Sequence, residues 1–220
     1  VLALFNAAEI SRYTRASWEH LRRFNTLLDA LPHIHMLLNQ VDPQEDTRNF
    51  YRRIAAEMLT GSPKPCCLQA GDDADVAAMI RMGIAIRGSA RALAAQPVFI
   101  TGTNAEPPLY ITAPSASILL AAARGGIPCG IGDYVMMGTT APITPAGALV
   151  QRNALQLTGL ILAQQVRPGA PFYYVGSSGS ANLRTLDPIM ANPQAAILSR
   201  LAVRLGTFYG LPVCGLAATD

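Results

Sequence analysis

Short apolar segments alternate along this chain with longer segments of helical periodicity. Six apolar segments recur at intervals of about 30 to 45 residues, a spacing that fits a strand, a helix and two loops. Each is bounded by Gly, Pro or polar residues, and they begin near His33, Pro65, Pro97, Ile127, Pro171 and Leu211. This alternation predicts parallel strands joined by right-handed crossovers.

The intervening segments place apolar residues at a period of about 3.6, which is typical of helices packed on one side. Helices are predicted over residues 15–31, 46–59, 72–95, 115–126, 145–166 and 192–210. Thr144 and Pro145 are expected at the N-cap and first position of the fifth helix. Glycines 126, 169 and 210 lie near the positions where helices commonly end.

Six strand–helix units without a linker favour a (β/α)8 TIM barrel. A closed barrel takes about 250 residues, so the 220 residues predict an incomplete barrel fragment. We expect one domain over residues 1–220, truncated at the C-terminus and also at the N-terminus. An open doubly wound sheet is the alternative. No G-x-G-x-x-G follows a predicted strand, which disfavours a dinucleotide fold.

Composition narrows the class of protein further. Half of the residues are hydrophobic and 14% are charged, which indicates an extensively buried chain. A net charge of +3 is too small and too scattered to indicate nucleic-acid binding. Prolines interrupt the uncharged segments before they reach the roughly 20 apolar residues of a membrane span. We therefore expect neither nucleic acid nor membrane as a partner.

Cysteine and histidine usage predicts no metal site. The four cysteines lack zinc-ligand spacing and lie in apolar segments, which predicts buried free thiols in a reducing cytoplasm. His33 and His35 share one face of the first predicted strand. No carboxylate or Cys stands at ligand spacing from them, so a structural role is favoured.

In a barrel, the chemistry occurs in the loops that follow the strands. The candidate loops are 39–46, 69–73, 101–108, 132–144, 176–193 and 216–220. The fourth, "GDYVMMGTTAPIT", joins an apolar strand to the predicted helix at Pro145. It is therefore expected at the face where a barrel binds its substrate.

The segment "GTTAPITPAGALVQRNALQLTGLILAQQVRPGAPFYYVGSSGSANLRT" resembles the trimethylamine methyltransferase family of corrinoid-dependent enzymes. The family pattern runs G-A-T-x-P-x-T-x-A-G, then a helix with N-A and L-A-G, then A-Q, P-G-A-P and D-M-R-T. "YGLPVCGLAATD", "SPKP" and "NAEPPL" are also similar, so the resemblance covers residues 50–220. Three positions depart from the pattern: Ala is common where Thr139 stands, Asp where Asn182 stands and Met where Leu183 stands.

The resemblance implies that a methyl group moves from a tertiary or quaternary methylamine, such as trimethylamine or glycine betaine, to Co(I) of a corrinoid. That cobamide is carried by a separate corrinoid protein, and none is expected to bind this chain directly. The resemblance is to members that lack pyrrolysine. We also expect a cytoplasmic homo-oligomer. A non-catalytic barrel that captures a quaternary amine and an inactive paralogue are the alternatives.

A quaternary ammonium has no N–H to donate, so aromatic faces and acidic groups must hold it. Glu106, Asp133 and Asp220 are acids at strand ends that would balance its charge, and Arg184 would pair with a substrate carboxylate or tie down its own loop. Tyr173 and Tyr174 alternate, so one of them faces the barrel interior, and Tyr174 is favoured. The predicted substrate-binding set is Asn104, Glu106, Asp133, Tyr134, Thr139, Thr140, Tyr174, Arg184 and Asp220. No catalytic residue is assigned.

Overall fold

The computed structural model describes residues 16–39, 41–44, 48–106, 108–176, 178–189 and 192–215. Its helices are α1 Trp18–Ala30, α2 Phe50–Gly61, α3 Asp73–Arg87, α4 Ala90–Ala95, α5 Ala113–Gly125, α6 Pro145–Val166 and α7 Pro193–Phe208. Its strands are β1 Leu37–Leu38, β2 Cys66–Leu68, β3 Phe99–Ala105, β4 Cys129–Asp133, β5 Val135–Met137, β6 Tyr174–Gly176, β7 Ser178–Ala181, β8 Pro188–Ile189 and β9 Val213–Gly215. The protein is thus of the mixed α/β class.

Four strands form one sheet in the order β1-β2-β3-β4. Cys66 of β2 pairs with Leu37 of β1 and with Phe99 of β3, both in parallel. The chain divides into two compact units, Val1–Thr101 and Gly102–Asp220, so that the division falls within β3.

In the first unit, helices cover the sheet on the side of Phe99. Gly83 of α3 approaches Leu93 of α4 and the Phe99 ring so closely that a Cβ at position 83 would lie 2.8 Å from Leu93 Cδ1. Lys64 Nζ donates to the carbonyls of Leu28, Asp29 and Leu31 at distances of 2.7 to 2.9 Å. Those carbonyls lie at the end of α1, where a cation offsets the negative end of the helix dipole.

In the second unit, β6 lies between β4 and β9. Cys129 N donates to Pro171 O at 3.1 Å and Tyr173 N donates to Cys129 O at 3.0 Å, which joins β4 to the segment leading into β6. Tyr174 of β6 pairs in parallel with Val213 of β9. The strands β4, β6 and β9 therefore adjoin one another in the order in which they occur along the chain.

The six predicted strands are all confirmed, and α6 begins at Pro145 with Thr144 as its N-cap, as expected. The prediction of one helix over 72–95 is wrong. Gly88 has a φ of +83° and ends α3, and Ser89 then caps α4 through a bond from Ala92 N. A left-handed Gly followed by a Ser N-cap stops one helix and starts another.

All four cysteines are free thiols. Cys66 and Cys129 are buried, and burial raises the pKa of each thiol to about 12. Cys214 is exposed, so the prediction of burial is wrong for this residue. It lies in β9, which pairs with β6 on one side. None of the helices in the described ranges is long and apolar enough to cross a membrane.

Candidate functional site

The loop between β4 and α6 is built as a tight turn on the start of α6. Thr140 Oγ1 accepts from Met136 N at 3.1 Å, and Gln151 of α6 donates to Thr140 O at 2.9 Å. Thr144 Oγ1 accepts from Gly147 N, and a Cβ at position 147 would lie 2.7 Å from Pro142 Cβ. The Thr144–Pro145 and Ala146–Gly147 pairs therefore let the turn pack directly on the start of α6.

A buried ion pair joins the end of β4 to α6. Arg152 Nε donates to Asp133 Oδ1 at 3.0 Å, and both residues are 0% exposed. Burial raises the pKa of Asp133 to about 6, while the charge of Arg152 opposes that rise. Within the described part of the chain, Nη1 and Nη2 of Arg152 have no hydrogen-bond partner. The carboxylate that was expected to balance a substrate cation is thus balanced by Arg152.

Gln156, one turn after Arg152, connects two neighbouring strands. Its Nε2 donates to Ile131 O of β4 at 2.5 Å, and its Oε1 accepts from Val175 N of β6 at 3.1 Å. The side chain is 1% exposed. It satisfies backbone groups where β4 and β6 run side by side, so α6 fixes the spacing of both strands.

Tyr174 faces the helices. Its hydroxyl donates to Asn153 Oδ1 of α6 at 3.2 Å, and its ring stacks on Tyr209 with 6.5 Å between ring centroids. Asn153 Nδ2 donates to the Tyr209 hydroxyl at 2.9 Å. The side chain is 0% exposed, and burial raises the pKa of the phenol. Tyr174, the tyrosine favoured for the barrel interior, therefore lies on the side that α6 and α7 cover.

The opposite face of these strands carries three glycines. A Cβ at Gly130 would lie 2.6 to 2.9 Å from Cε2, Cζ and Cδ2 of Tyr173, and one at Gly102 would lie 2.6 Å from the Tyr173 hydroxyl oxygen. A Cβ at Gly132 would collide with Asn104 Oδ1. We call this surface the glycine face; it consists of Gly102, Asn104, Gly130, Gly132 and Tyr173.

Alternation along β4 separates the two faces. Ile131 contacts Gly159 of α6, and Asp133 contacts Arg152, so odd-numbered residues face the helices. Gly130 and Gly132 therefore point to the other side, together with Tyr173 of the neighbouring segment. Of the predicted set, the structure places Asn104 on the glycine face, whereas Asp133 and Tyr174 lie on the helix-covered face.

The other predicted residues that the structure describes lie in the connecting loops. Glu106 is exposed, and its backbone forms a two-bond bridge with Tyr110 at 2.7 and 2.9 Å. Tyr134 is 53% exposed between β4 and β5. Thr139 is exposed at the turn, and Thr140 is half-buried within it. Asp220 lies outside the described residues.

Two of the predicted site loops combine into a small sheet with the strand order β5-β7-β8. Met136 pairs with Gly179 in parallel, and Ser180 pairs with Ile189 in antiparallel. Leu183, in the connection between β7 and β8, contacts the turn at Gly138, where a Cβ would lie 3.0 Å from Leu183 Cδ2. The loops 132–144 and 176–193 thus support each other.

Arg184 is exposed in that connection, next to Asn182. Arg184 N donates to Asn182 Oδ1 at 3.0 Å, and Asn182 N donates to Asp187 O at 2.9 Å. An aspartate at position 182 would accept the same bond from Arg184 N. The departure at Asn182 therefore removes a negative charge from the loop without removing the oxygen that shapes it.

Sequence reasoning missed Arg152, Asn153 and Gln156 on α6. A signal for two of them exists: positions 148, 152, 155, 156, 159 and 163 form the buried stripe of the helix, and Arg152 and Gln156 stand within it. Polar side chains in an otherwise apolar stripe require buried partners. The sequence favours Tyr174 over Tyr173 for the barrel interior. Which of the two tyrosines contacts the helices depends on the strand face that the helices cover.

A family model described as "Trimethylamine methyltransferase (MTTB)" matches residues 5–219. A protein named trimethylamine methyltransferase MttB from Desulfitobacterium hafniense (strain DSM 10664 / DCB-2) is 25% identical over 93% of this chain and 41% of its own length. A glycine betaine methyltransferase from Desulfitobacterium hafniense (strain Y51) is 32% identical over 53% of this chain and 24% of its own length. A proline betaine:corrinoid methyltransferase from Eubacterium limosum is 32% identical over 57% and 26%, respectively.

The chain matches less than half the length of each of these curated relatives. The family model, in contrast, covers nearly all of the chain, from the segment before α1 to the residues after β9. The motifs that carry the resemblance include the turn on Thr140, the start of α6 and the Asn153–Ala154 pair of that helix. The chain therefore belongs to the trimethylamine methyltransferase (MTTB) family.

Proposed function

We propose that the protein carrying this chain transfers a methyl group from a tertiary or quaternary methylamine to Co(I) of a corrinoid held by a separate protein. The family match over residues 5–219 carries this proposal. It is supported by relatives whose names specify trimethylamine, glycine betaine and, with a corrinoid, proline betaine.

The proposed fold is a (β/α)8 TIM barrel of which this chain forms part. Two observations support it: β4, β6 and β9 adjoin in chain order, and α6 and α7 contact the same face of those strands. A doubly wound sheet places helices on both faces. In a barrel, the glycine face would line the interior, and the small sheet of β5, β7 and β8 would stand at the end where barrels bind substrates.

The proposed reaction is a nucleophilic displacement at carbon. The Co(I) electron pair forms the Co–C bond as the C–N bond breaks, and the electron pair of that bond leaves with the amine nitrogen. A quaternary nitrogen leaves as a neutral amine and needs no proton, whereas a tertiary amine must first be protonated or otherwise made cationic at nitrogen so that a neutral amine leaves. The main task of the protein is then to hold the methyl carbon in line between nitrogen and cobalt.

The substrate-contacting residues that we propose are Asn104, on the glycine face, and the loop residues Glu106, Tyr134, Thr139, Thr140, Arg184 and Asp220. Asp133 would act on them through the backbone, because it ends β4 next to Tyr134 and is fixed by Arg152. The corrinoid protein as partner, a homo-oligomer, a single domain over residues 1–220 and a cytoplasmic location stay predictions.

The test uses the protein with any sequence that its gene encodes beyond this chain. Purified protein is mixed with free cob(I)alamin and, separately, with trimethylamine, glycine betaine, proline betaine and choline, and the cobalt absorption spectrum is followed. We expect conversion of Co(I) to methyl-Co(III) with one or a few of these amines. No conversion with any of them, together with measurable binding of one by calorimetry, would support a binding barrel instead.

A further inference from the structure

Gly102 of β3 and Gly130 of β4 leave room for one aromatic ring on the glycine face. Gly130 and Gly102 lie beneath the ring and hydroxyl of Tyr173, and any side chain at either position would occupy the space of Tyr173. Gly130 O would lie only 3.0 Å from a Cβ at position 102, so the strands also approach each other closely there. The Tyr173 ring therefore packs closely against the backbone of Gly102 and Gly130.

The neighbouring polar group on this face belongs to Asn104. Its Oδ1 lies over Gly132, and the Thr103 carbonyl oxygen would be 3.5 Å from a Cβ at the same position. Asn104 is exposed, and Tyr173 is buried with 9% exposure on the same face, whereas Tyr174 is 0% exposed on the helix-covered face. Of the two adjacent tyrosines, Tyr173 is thus the one on the face that a ligand from outside the helix layer would approach.

An aromatic ring next to amide and carbonyl oxygens suits one class of ligand. A trimethylammonium group spreads its positive charge over methyl groups, offers no N–H donor and is attracted to an aromatic face. Asn104 Oδ1 can only accept, so it favours a positive ligand surface over a negative one. The ring face itself attracts a cation rather than an anion, although the Asn104 amide and the Tyr173 hydroxyl can also donate hydrogen bonds.

We propose that Tyr173, on the glycine face, is the aromatic contact for the methylated cation, with Asn104 as its polar neighbour. This inference rests on the proposed function, because it assigns the substrate contact of that same site. Gly102 and Gly130 act as positioning residues for the Tyr173 ring, and Gly132 leaves the space that the Asn104 side chain occupies. Tyr174 contacts the helices instead.

The test compares choline with 3,3-dimethylbutan-1-ol, which has carbon in place of the charged nitrogen and otherwise the same shape. Calorimetric dissociation constants of both are measured for the wild type, Tyr173→Leu and Tyr173→Phe. We expect the wild type to prefer choline. Tyr173→Leu should reduce that preference about 10-fold, and Tyr173→Phe should retain it within about 3-fold, because the ring supplies the attraction.

Phe172→Leu is the matched control. It removes a ring one residue earlier in the same segment, on the face that contacts Gly159 of α6. We expect it to lower the melting temperature and leave the preference for choline unchanged. Gly130→Ala displaces the Tyr173 ring without removing it, so it should weaken choline binding even where Tyr173→Leu fails to fold.

The outcomes separate this inference from the proposed function. Unchanged preference in both Tyr173→Leu and Gly130→Ala would overturn the contact, even if the wild type methylates cob(I)alamin. Equal binding of the two probes by the wild type, or no binding of either, would also overturn it. A preference that depends on Tyr173, without methylation of cobalt by any amine, would support the contact and contradict the enzyme.

Discussion

Asp133 and Arg152 form a buried ion pair whose role depends on the protonation of one carboxylate. Both side chains are excluded from solvent, and burial raises the pKa of Asp133 to about 6. The native state therefore keeps this proton at pH values where the unfolded chain has lost it. The contribution of Asp133 to the free energy of unfolding falls as pH rises from about 4 to about 6. Arg152 limits that fall.

Arg152→Met tests this pair. At pH 7.5 the variant leaves an uncompensated carboxylate in the interior, so we expect a loss of about 3 to 5 kcal/mol in the free energy of unfolding. At pH 5 Asp133 is largely protonated, so the loss should be smaller. Urea denaturation at both pH values measures the difference. The double variant Asp133→Asn/Arg152→Met lacks the titrating carboxylate, so its stability should change less between the two pH values than that of Arg152→Met. Equal losses for Arg152→Met at both pH values would contradict the pair.

Gln156 is a neutral side chain that joins α6 to the strands β4 and β6. Gln156→Leu leaves Ile131 O and Val175 N without their side-chain partner, and each unsatisfied buried group costs about 1 to 3 kcal/mol. The control is Gln164→Leu, because Gln164 makes a similar pair of bonds, to Ala170 O and Gly169 N, in a half-exposed position. Thermal denaturation should show a larger loss for Gln156→Leu; a larger loss for Gln164→Leu would contradict this role.

At the residue scale, the sequence identifies candidate residues at strand ends, but it does not fix the face to which their side chains point. Alternation restricts one of Tyr173 and Tyr174 to each face, but only the packing of α6 and α7 decides which tyrosine the helices cover. Asp133 was recognised as a strand-end acid. Its partner Arg152 is 19 positions away on α6, and a sequence alone does not give such a contact.

Among the elements, α6 determines how the second unit is assembled. Its N-terminal turn holds the loop before it, its middle contacts β4 and β6, and Gly159 lets it lie close to the sheet. A Cβ at position 159 would lie 2.6 Å from Ile131 Cγ2. A glycine inside a long helix is unfavourable for the helix itself, so this position is explained by packing.

Gly159→Ala should therefore destabilise the protein despite the higher helix propensity of alanine. We expect a loss of about 1 to 3 kcal/mol from overpacking against β4. Gly61→Ala is the matched control at the end of α2, where a Cβ would find its nearest atom, Asn25 Nδ2, at 3.8 Å. It should be neutral or stabilise the protein by up to about 1 kcal/mol. Chemical denaturation measures the free energy of unfolding of both variants. A stabilised Gly159→Ala together with a destabilised Gly61→Ala would show that α6 can shift away from β4 without cost.

Periodicity and helix caps made the elements largely predictable. Thr144 and Pro145 marked the start of α6, and the apolar segment before them marked β4. The three strands of the small sheet were not predicted. β8 has two residues, and β5 and β7 acquire their strand conformation by pairing with each other across the whole of α6. Pairing between distant loops leaves no periodic signal in either loop.

At the largest scale, the strands and helices of the second unit lie within the segment that matches the family. The strands β4, β6 and β9 adjoin in chain order, helices α6 and α7 cover one face of them, and the glycine face lies on the other. The match to the trimethylamine methyltransferase (MTTB) family covers the same residues. The proposed function requires this arrangement to hold a methylated amine for attack by Co(I).

The most direct measurement follows the methyl group itself. The protein is incubated with free cob(I)alamin and an amine carrying trideuteromethyl groups, and the cobalt product and the remaining amine are analysed by mass spectrometry. If the protein transfers the methyl group, one CD3 group appears on cobalt for each CD3 group that the amine loses. Absence of CD3 on cobalt with every amine bound by the protein, or label on cobalt without loss from the amine, would contradict it.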